Sequence, residues 1–259
     1  MTDISELLHI VTTLRHPVRG CPWDRKQTLQ SVVPHTLEEA YEVAEVIETK
    51  KWNELPGELG DLLFQVLLYC EIAREEQCFD FSDIIRTLAD KLVRRHPHVF
   101  AENREKIPDW ESIKRAERKQ VSSSDRTLTN IPHNLPALSR AQKVQTRAAS
   151  VGFDWRHLQP VMEKINEEIT ELDEAIAVGE ATHIQEEAGD LLFACVNLCR
   201  HLHIDAEQSL RLATEKFSRR FNRLETLVNL QDESMAALDE DELEDRWQRV
   251  KANGTGSPF

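Results

Sequence analysis

The pentapeptide Gly-Asp-Leu-Leu-Phe occurs twice in this chain of 259 residues, as Gly60–Phe64 and again, 129 residues later, as Gly189–Phe193. The same separation relates an EExxE stretch at 38–42 to another at 167–171, and it relates Glu58 to Glu187. Each half therefore carries EExxE, a gap and ExxD with equal internal spacing. Because chance would not preserve this order, the sequence predicts a duplicated module.

Further matches extend the duplication beyond the acidic stretches, with small changes of spacing. They pair Lys91, Arg94 and Arg95 with Lys216, Arg219 and Arg220, and the WxxxK of Trp110 and Lys114 with that of Trp247 and Lys251. Residues 120–136 are rich in serine and proline, which is typical of a linker. We therefore expect one module at 1–119, a linker at 120–136 and a second module at 137–259.

The hydrophobic pattern predicts helices throughout and no strands, so the expected fold class is all-α. Apolar residues recur at helical spacing at Ile4, Leu7, Leu8 and Val11, and again at Val161, Ile165, Ile169, Leu172 and Ile176. Residues 58–70 and 187–199 are apolar nearly all round, which predicts two buried helices. Segments 80–95 and 205–230 read as amphipathic helices. Thr36 followed by Glu39 resembles a capping box, which would mark the start of a helix. We expect each module to be a small antiparallel helical bundle.

The position of the acidic residues is more informative than their number. Glu168 lies three residues after Ile165 and four before Leu172, so it falls on the apolar stripe of its helix. Glu171 follows one turn later. Glu187 and Asp190 open the next apolar helix, and two antiparallel helices would bring the four carboxylates together.

Four carboxylates near a core require a compensating charge, because burying an unpaired anion is costly. Mg²⁺ prefers oxygen ligands and bridges readily to phosphates, which points to a phosphate-bearing substrate. Since no histidine or cysteine falls in the predicted cluster, thiolate or imidazole metals are disfavoured. The alternative, ordinary solvated acids, fits poorly with the duplication and the apolar placement.

Basic and aromatic residues of the second half are candidates for holding a triphosphate. Lys216 and Arg220 share a helix face, Lys251 lies one turn after Trp247, and Lys164 lies one turn before Glu168. Two functional roles are open for the tryptophan: stacking on a base, or packing beside the site. The alternative is surface ion pairing for the cations and core packing for the tryptophan.

Composition excludes several other classes of protein. The net charge of −14 argues against stable nucleic-acid binding. No apolar run approaches 18 residues, which argues against a membrane span. A start without a signal-like segment, and five cysteines without CxxC, favour a cytoplasmic protein with reduced thiols. The sequence contains no GxxxxGK[ST], HExxH or GxSxG.

Duplicated EExxE and ExxD on helices, together with Arg94–His98 and the tryptophan-lysine ends, resemble the MazG family of all-α nucleoside triphosphate pyrophosphohydrolases. The resemblance covers nearly the whole chain. It implies hydrolysis of NTPs and dNTPs to a monophosphate and pyrophosphate, in nucleotide-pool housekeeping, with Mg²⁺ or alternatively Mn²⁺. It also implies homodimers in which helices of two subunits build each four-helix bundle.

Carried over by position, the resemblance assigns two sets of functional residues. The metal ligands would be Glu168, Glu171, Glu187 and Asp190, with Glu167 as a catalytic helper that orients water. The nucleotide contacts would be Lys164, Lys216, Arg220, Trp247 and Lys251. A second, N-terminal metal site would use Glu39, Glu42, Glu58 and Asp61.

The two halves differ in a way that favours catalysis by the second. His96-Pro97 disfavours continuation of the basic helix after Arg95, whereas its counterpart runs on through Phe221–Leu224. We therefore expect the C-terminal module to be catalytic and the N-terminal one structural or regulatory. Two other hypotheses stay open: a narrow dUTPase or dCTPase, and a non-catalytic nucleotide-sensing scaffold.

Overall fold

The computed structural model describes residues 3–100, 113, 126–231 and 233–253. Within these residues the chain is helical and contains no strand, which confirms the all-α prediction. The chain divides into two compact units, the first ending at Ile113 and the second beginning at Lys114. None of the described helices is long and apolar enough to cross a membrane.

In the part of the first unit that the structure describes, there are four long helices and one short one. They are α1 (Ile4–Leu14), α2 (Leu29–Glu48), α3 (Leu55–Glu75), α4 (Phe81–Arg95) and α5 (Pro97–Phe100), with a 3-10 turn at Asp24–Lys26. The α2 and α3 helices pack along each other as a hairpin, and α1 packs on α3. Their core consists of Val11, Val32, Leu67, Leu68 and Ile72.

The start of α2 corrects the predicted cap. Thr28 is the N-cap, and its hydroxyl accepts a hydrogen bond from the Ser31 amide while the Ser31 hydroxyl accepts one from the Thr28 amide. Thr36 lies inside the helix, where its hydroxyl donates to the Val32 carbonyl at 3.1 Å. The capping box predicted at Thr36 and Glu39 is therefore wrong, because the helix already begins two turns earlier.

The second unit repeats the hairpin and adds helices on either side. They are α6 (Ala137–Ala149), α7 (Leu158–Val178), α8 (Ala181–His201), α9 (Ala206–Asn229) and α10 (Glu240–Asn253), with a 3-10 turn at Met235–Ala237. The α7 and α8 helices form the hairpin, α6 packs on α8, and α9 packs on α10. Gly179 ends α7 in the left-handed conformation, with φ of 79°.

The two helices predicted as buried are only partly so. In α3 the buried residues run from Gln65 to Ala73, whereas Leu59 is 48% exposed. In α8, Leu192 is 60% exposed. The predictions for 58–70 and 187–199 are wrong for the first part of each helix, because only one face of each packs against a neighbour within its unit.

Part of the predicted linker packs on the second unit. The Arg147 guanidinium donates hydrogen bonds to the carbonyls of Thr129 and Asn130, and Ile131 is 5% exposed. From residue 126 onwards, where the description of this unit begins, the first helix starts at Ala137. Residues 120–125 lie outside the described residues.

The predicted difference between the basic helices is confirmed. The α4 helix ends at Arg95, and the short α5 begins at Pro97. Its counterpart α9 continues without a break from Ala206 to Asn229. The proline removes a backbone donor and disfavours helical geometry at His96, so the two halves diverge there.

Candidate metal and nucleotide site

Three acidic residues of the second unit converge between α7 and α8. One carboxylate oxygen from each of Glu168, Glu171 and Glu187 lies within 4.8 Å of the other two. Glu168 is only 5% exposed, as its place on the apolar stripe predicts. Asp190, the fourth predicted ligand, follows Glu187 by one turn and lines the same cavity as Glu168.

Lys164 supplies part of the charge that this cluster needs. Its ammonium lies 2.8 Å from the carboxylates of both Glu167 and Glu168, which raises the pKa of Lys164. Desolvation and the neighbouring Glu168, Glu167 and Glu187 hold the pKa of Glu171 above its ordinary value, although Lys164 acts in the opposite sense. One ammonium cannot balance this many carboxylates, so the electrostatics suit a bound divalent cation.

A histidine that the sequence reasoning missed touches the cluster. His183 Nε2 lies 3.1 Å from Glu187 Oε1, one turn earlier on α8. The converging group itself holds only carboxylates, and the His183 ring contacts one of them and would orient it. Hydrogen bonds of this kind commonly fix the ligands of a metal site. This contact could have been predicted from the sequence, because residues four apart on a helix lie on the same face.

The donor set itself fits Mg²⁺ or Mn²⁺. All three converging groups are carboxylates, and they come from two packed helices. Hard oxygen ligands of this type suit Mg²⁺ and Mn²⁺ better than metals that prefer thiolate or imidazole.

The first unit holds a comparable cluster with a different environment. Oxygens of Glu39, Glu58 and Asp61 lie within 4.8 Å of one another. Desolvation, Glu42 and Asp61 together raise the pKa of Glu39. The position of Lys164 is occupied here by His35, which lies 3.7 Å from Glu38. Among the described residues no lysine or arginine forms an ion pair with this cluster.

A cavity of about 860 Å³ opens beside the carboxylates of the second unit. Its walls combine apolar side chains from α6, α7 and α8 with the aromatic rings of the loop before α7. The apolar residues include Val144, Val161, Phe153, Trp155 and Phe193, and the polar ones are Gln145, Asp154, Lys164, Glu168, Asp190, Asn197 and Arg200. Such a mixture suits a flat ring system joined to an anionic group.

The first unit has different residues at two positions that line the cavity in the second unit. Leu68 stands where the second unit has Asn197, and it is fully buried against Val32 and Leu67. Gln65 stands where the second unit has Ala194, and its amide donates to Glu39 at 3.4 Å. The two hairpins therefore share their acidic residues but differ in the residues next to the acidic cluster.

The other predicted nucleotide contacts lie on α9 and α10. Trp247 packs on Phe217, with ring centroids 5.3 Å apart, and on the small core of Leu224, Val228 and Val250. This packing is the alternative that the sequence left open for the tryptophan. Within the described residues, Lys216, Arg220 and Lys251 form no ion pair with the four carboxylates. Of their N-terminal counterparts, Trp110 and Lys114 lie outside the described residues.

Comparison with known proteins assigns the family. The model of the MazG nucleotide pyrophosphohydrolase domain matches residues 27–100 and 156–224, which hold both hairpins. A nucleoside triphosphate pyrophosphohydrolase of Escherichia coli is 48% identical over 97% of this chain and 98% of its own length. A nucleoside triphosphate pyrophosphohydrolase/pyrophosphatase MazG of Thermotoga maritima is 43% identical over 95% of each chain. This chain therefore belongs to the MazG nucleotide pyrophosphohydrolase family.

Proposed function

We propose that this protein hydrolyses nucleoside triphosphates, of both ribose and deoxyribose type, to the monophosphate and pyrophosphate. The reaction depends on Mg²⁺, with Mn²⁺ as an alternative, and takes place in the second unit. The observation that carries the proposal is the buried Glu168, which faces Glu171 and Glu187 beside a largely apolar cavity. The names of two relatives that align over nearly their whole lengths support the same activity.

In this proposal Glu168, Glu171, Glu187 and Asp190 hold the metal ion. When bound, the ion would polarise the phosphoanhydride and lower the pKa of a water molecule. Lys164 keeps Glu167 and Glu168 in place through contacts of 2.8 Å. Glu167 is half exposed and outside the converging cluster, so its carboxylate is available to orient the attacking water and accept its proton.

The remaining cations are assigned to the leaving group. Lys216, Arg220 and Lys251 would stabilise the charge that develops on pyrophosphate. The nucleoside would occupy the cavity, with Trp155 and Phe153 beside the base. Hydrolysis in ¹⁸O-labelled water tests attack at the α-phosphorus, because label found only in pyrophosphate would contradict it.

Three differences support catalysis by the second unit. Its cluster is paired with Lys164, whereas the first unit has His35 at that position. Asn197 lines a cavity beside its cluster, whereas the first unit has the buried, apolar Leu68 at that position. Its basic helix α9 is continuous, whereas α4 ends before Pro97. We assign a structural or regulatory role to the first unit, whose acids would form a second metal site.

We also propose that the protein is a homodimer. Each unit leaves apolar helix positions open to solvent, although a hydrophobic stripe on a helix normally packs against a partner. In the first unit these include Ile85, Leu88 and Leu92 of α4, and in the second they include Ile169 and Ile176 of α7 and Leu210 of α9. A second copy would cover these faces and complete a four-helix bundle.

A panel of ribo- and deoxynucleoside triphosphates tests the activity. Each nucleotide is incubated with the protein, with and without Mg²⁺, and pyrophosphate and orthophosphate are measured separately. We expect Mg²⁺-dependent release of pyrophosphate from several bases. Release of orthophosphate alone would contradict the proposal. Turnover of dUTP or dCTP alone would favour the narrow enzyme, and binding without turnover would favour the sensing scaffold.

A further inference from the structure

Two buried amides in the cavity of the second unit have a fixed orientation. Gln145, on α6, is 7% exposed, and its Nε2 donates to the Phe193 carbonyl at 2.8 Å. Asn197, on α8, is also 7% exposed, and its Oδ1 accepts from Arg200 Nε at 2.9 Å. A carbonyl can only accept and a guanidinium can only donate, so neither amide can be reversed without losing its bond.

Each anchored amide therefore has one group left for a ligand. Gln145 Oε1 is a buried acceptor without a hydrogen-bond partner. Asn197 Nδ2 is a donor that makes no hydrogen bond to any described residue. Leaving a buried polar group unpaired costs roughly 1–3 kcal/mol, and a ligand donor would remove that cost at Gln145.

The rest of the cavity limits what such a ligand can be. Its walls are mostly apolar or aromatic, and they include the carboxylates of Glu168 and Asp190. A suitable occupant has a flat ring with a donor beside an acceptor on one edge, and it carries phosphates that reach the carboxylates through a cation. The common nucleobases have such an edge: an amino group next to a ring nitrogen in A and C, and a ring N–H next to a carbonyl in G and U.

We propose that Gln145 and Asn197 are specificity-determining residues that read the donor and acceptor on the edge of the nucleobase. This inference rests on the proposed function, since it takes the cavity as the nucleoside site. The pair accepts each common base in one of two orientations and disfavours a triphosphate without a base. A site built to hydrogen-bond its ligand discriminates strongly against a ligand that lacks the partner groups.

The first unit lacks this pair, which agrees with its proposed role. The position of Asn197 is occupied there by Leu68, which is fully buried in the core. The acidic cluster is retained without a group at that position to read a base. The substitution Asn197→Leu therefore gives the second unit the residue that the first already has.

Steady-state kinetics of pyrophosphate release tests the inference with Gln145→Leu and Asn197→Leu. The substrates are ATP, CTP, GTP, UTP and ribose 5′-triphosphate, which lacks a base. We expect each substitution to raise KM for all four nucleotides about tenfold, equivalent to about 1.4 kcal/mol. We expect kcat to change by less than about twofold, and KM for ribose 5′-triphosphate to stay the same, because the contact is to the base alone.

Gln142, which lies on α6 together with Gln145, offers a matched control. Gln142 bonds the Ile204 carbonyl at 2.8 Å and the Ala206 amide at 2.9 Å, and it does not line the cavity. Gln142→Leu should leave all five KM values unchanged. Thermal unfolding of each variant shows whether it is folded.

Three outcomes would count against the inference. Unchanged KM values for the nucleotides in Gln145→Leu and Asn197→Leu would overturn it. So would an equal rise for ribose 5′-triphosphate, because that would indicate general damage to the site. If the unaltered protein released no pyrophosphate from any nucleotide, the proposed function would fail. Calorimetric titration with non-hydrolysed nucleotides would then test base reading by itself, and equal affinities of the two variants and the unaltered protein would refute it.

Discussion

Glu168 is a buried carboxylate, and burying a negative charge is unfavourable unless a positive charge compensates it. Its carboxylate is paired with Lys164 at 2.8 Å and faces two further carboxylates. The Lys164 side chain is 35% exposed, so water screens part of this pair, but without Lys164 the buried carboxylate would lose its compensating charge. Lys164 therefore contributes to the folded state of the site as well as to its chemistry.

Substitution of Glu168 distinguishes the two copies of the site. We expect Glu168→Gln to lower kcat/KM for pyrophosphate release by about 100-fold or more, because the change removes a charged ligand of the proposed ion. The matched change in the first unit, Glu39→Gln, should alter kcat/KM by less than about twofold, since that site lies in a separate unit. Full activity in Glu168→Gln with loss in Glu39→Gln would reverse the assignment.

Asp154 gives a pH-dependent prediction about stability. Its carboxylate accepts hydrogen bonds from Arg200 at 2.9 and 2.5 Å and lies 3.0 Å from His201 Nε2. These contacts, chiefly the hydrogen bonds from Arg200, hold the pKa of Asp154 below its ordinary value of 3.8. Because the folded-state pKa is lowered, the stabilisation is present above 3.8 and is lost as pH falls through the folded-state value.

We therefore expect Asp154→Asn to lower the free energy of unfolding by about 1 kcal/mol at neutral pH. The difference from the unaltered protein should shrink as the pH falls below 3.8. Urea unfolding at a series of pH values measures it. Asp173→Asn is the control, since Asp173 is exposed on α7 and forms no ion pair among the described residues. A difference that persists unchanged at low pH would contradict the assignment.

At the scale of helices, periodicity was a better guide than capping signals. The amphipathic segments predicted at 80–95 and 205–230 agree closely with α4 and α9. The start of α2 was misjudged because its capping box has serine, not glutamate or glutamine, at the third helical position. The start of a helix depends on a few capping side chains, whereas the buried face of a helix is indicated by apolar residues in every turn. The buried face is therefore easier to predict from the sequence.

Gly179 allows the turn between the two helices that carry the acids. It ends α7 with φ of 79°, a conformation that costs about 1–2 kcal/mol for a residue with a side chain. We expect Gly179→Ala to lower the free energy of unfolding by about 1 kcal/mol. Gly189→Ala is the matched control, because Gly189 lies inside α8 with open space around its Cα, and the change should stabilise by about 0.5–1 kcal/mol. Equal effects measured in urea would refute this role.

For the molecule as a whole, the features that could be predicted from the sequence are those that follow from the duplication and from the helical spacing of apolar residues. These include the all-α fold, the paired hairpins and the convergence of Glu168, Glu171 and Glu187. The sequence did not predict the cavity or the amides of Gln145 and Asn197, because the cavity joins α6, α8 and the loop before α7. Such a space depends on how distant segments pack, and no local spacing records it.

Assembly is the remaining feature of the whole molecule. Ile85, Leu88 and Leu92 form a stripe along α4, and each is 44–51% exposed. In the proposed homodimer a second copy covers this stripe, so the chain of 29.9 kDa should sediment at about 60 kDa. A charge introduced there would have to be buried on association, which is costly. We expect Leu88→Glu to dissociate the dimer at micromolar concentration, as measured by analytical ultracentrifugation.

The control for this experiment is a similar charge at an isolated apolar residue. Val18 is 82% exposed and lies in the loop after α1, outside the α4 helix. Val18→Glu should leave the sedimentation unchanged, since a single exposed apolar residue needs no partner. A dimer that survives Leu88→Glu would place the interface elsewhere, and an unaltered protein that sediments at 29.9 kDa would refute the homodimer. Helical circular dichroism of both variants separates dissociation from unfolding, because a folded monomer keeps its helical signal.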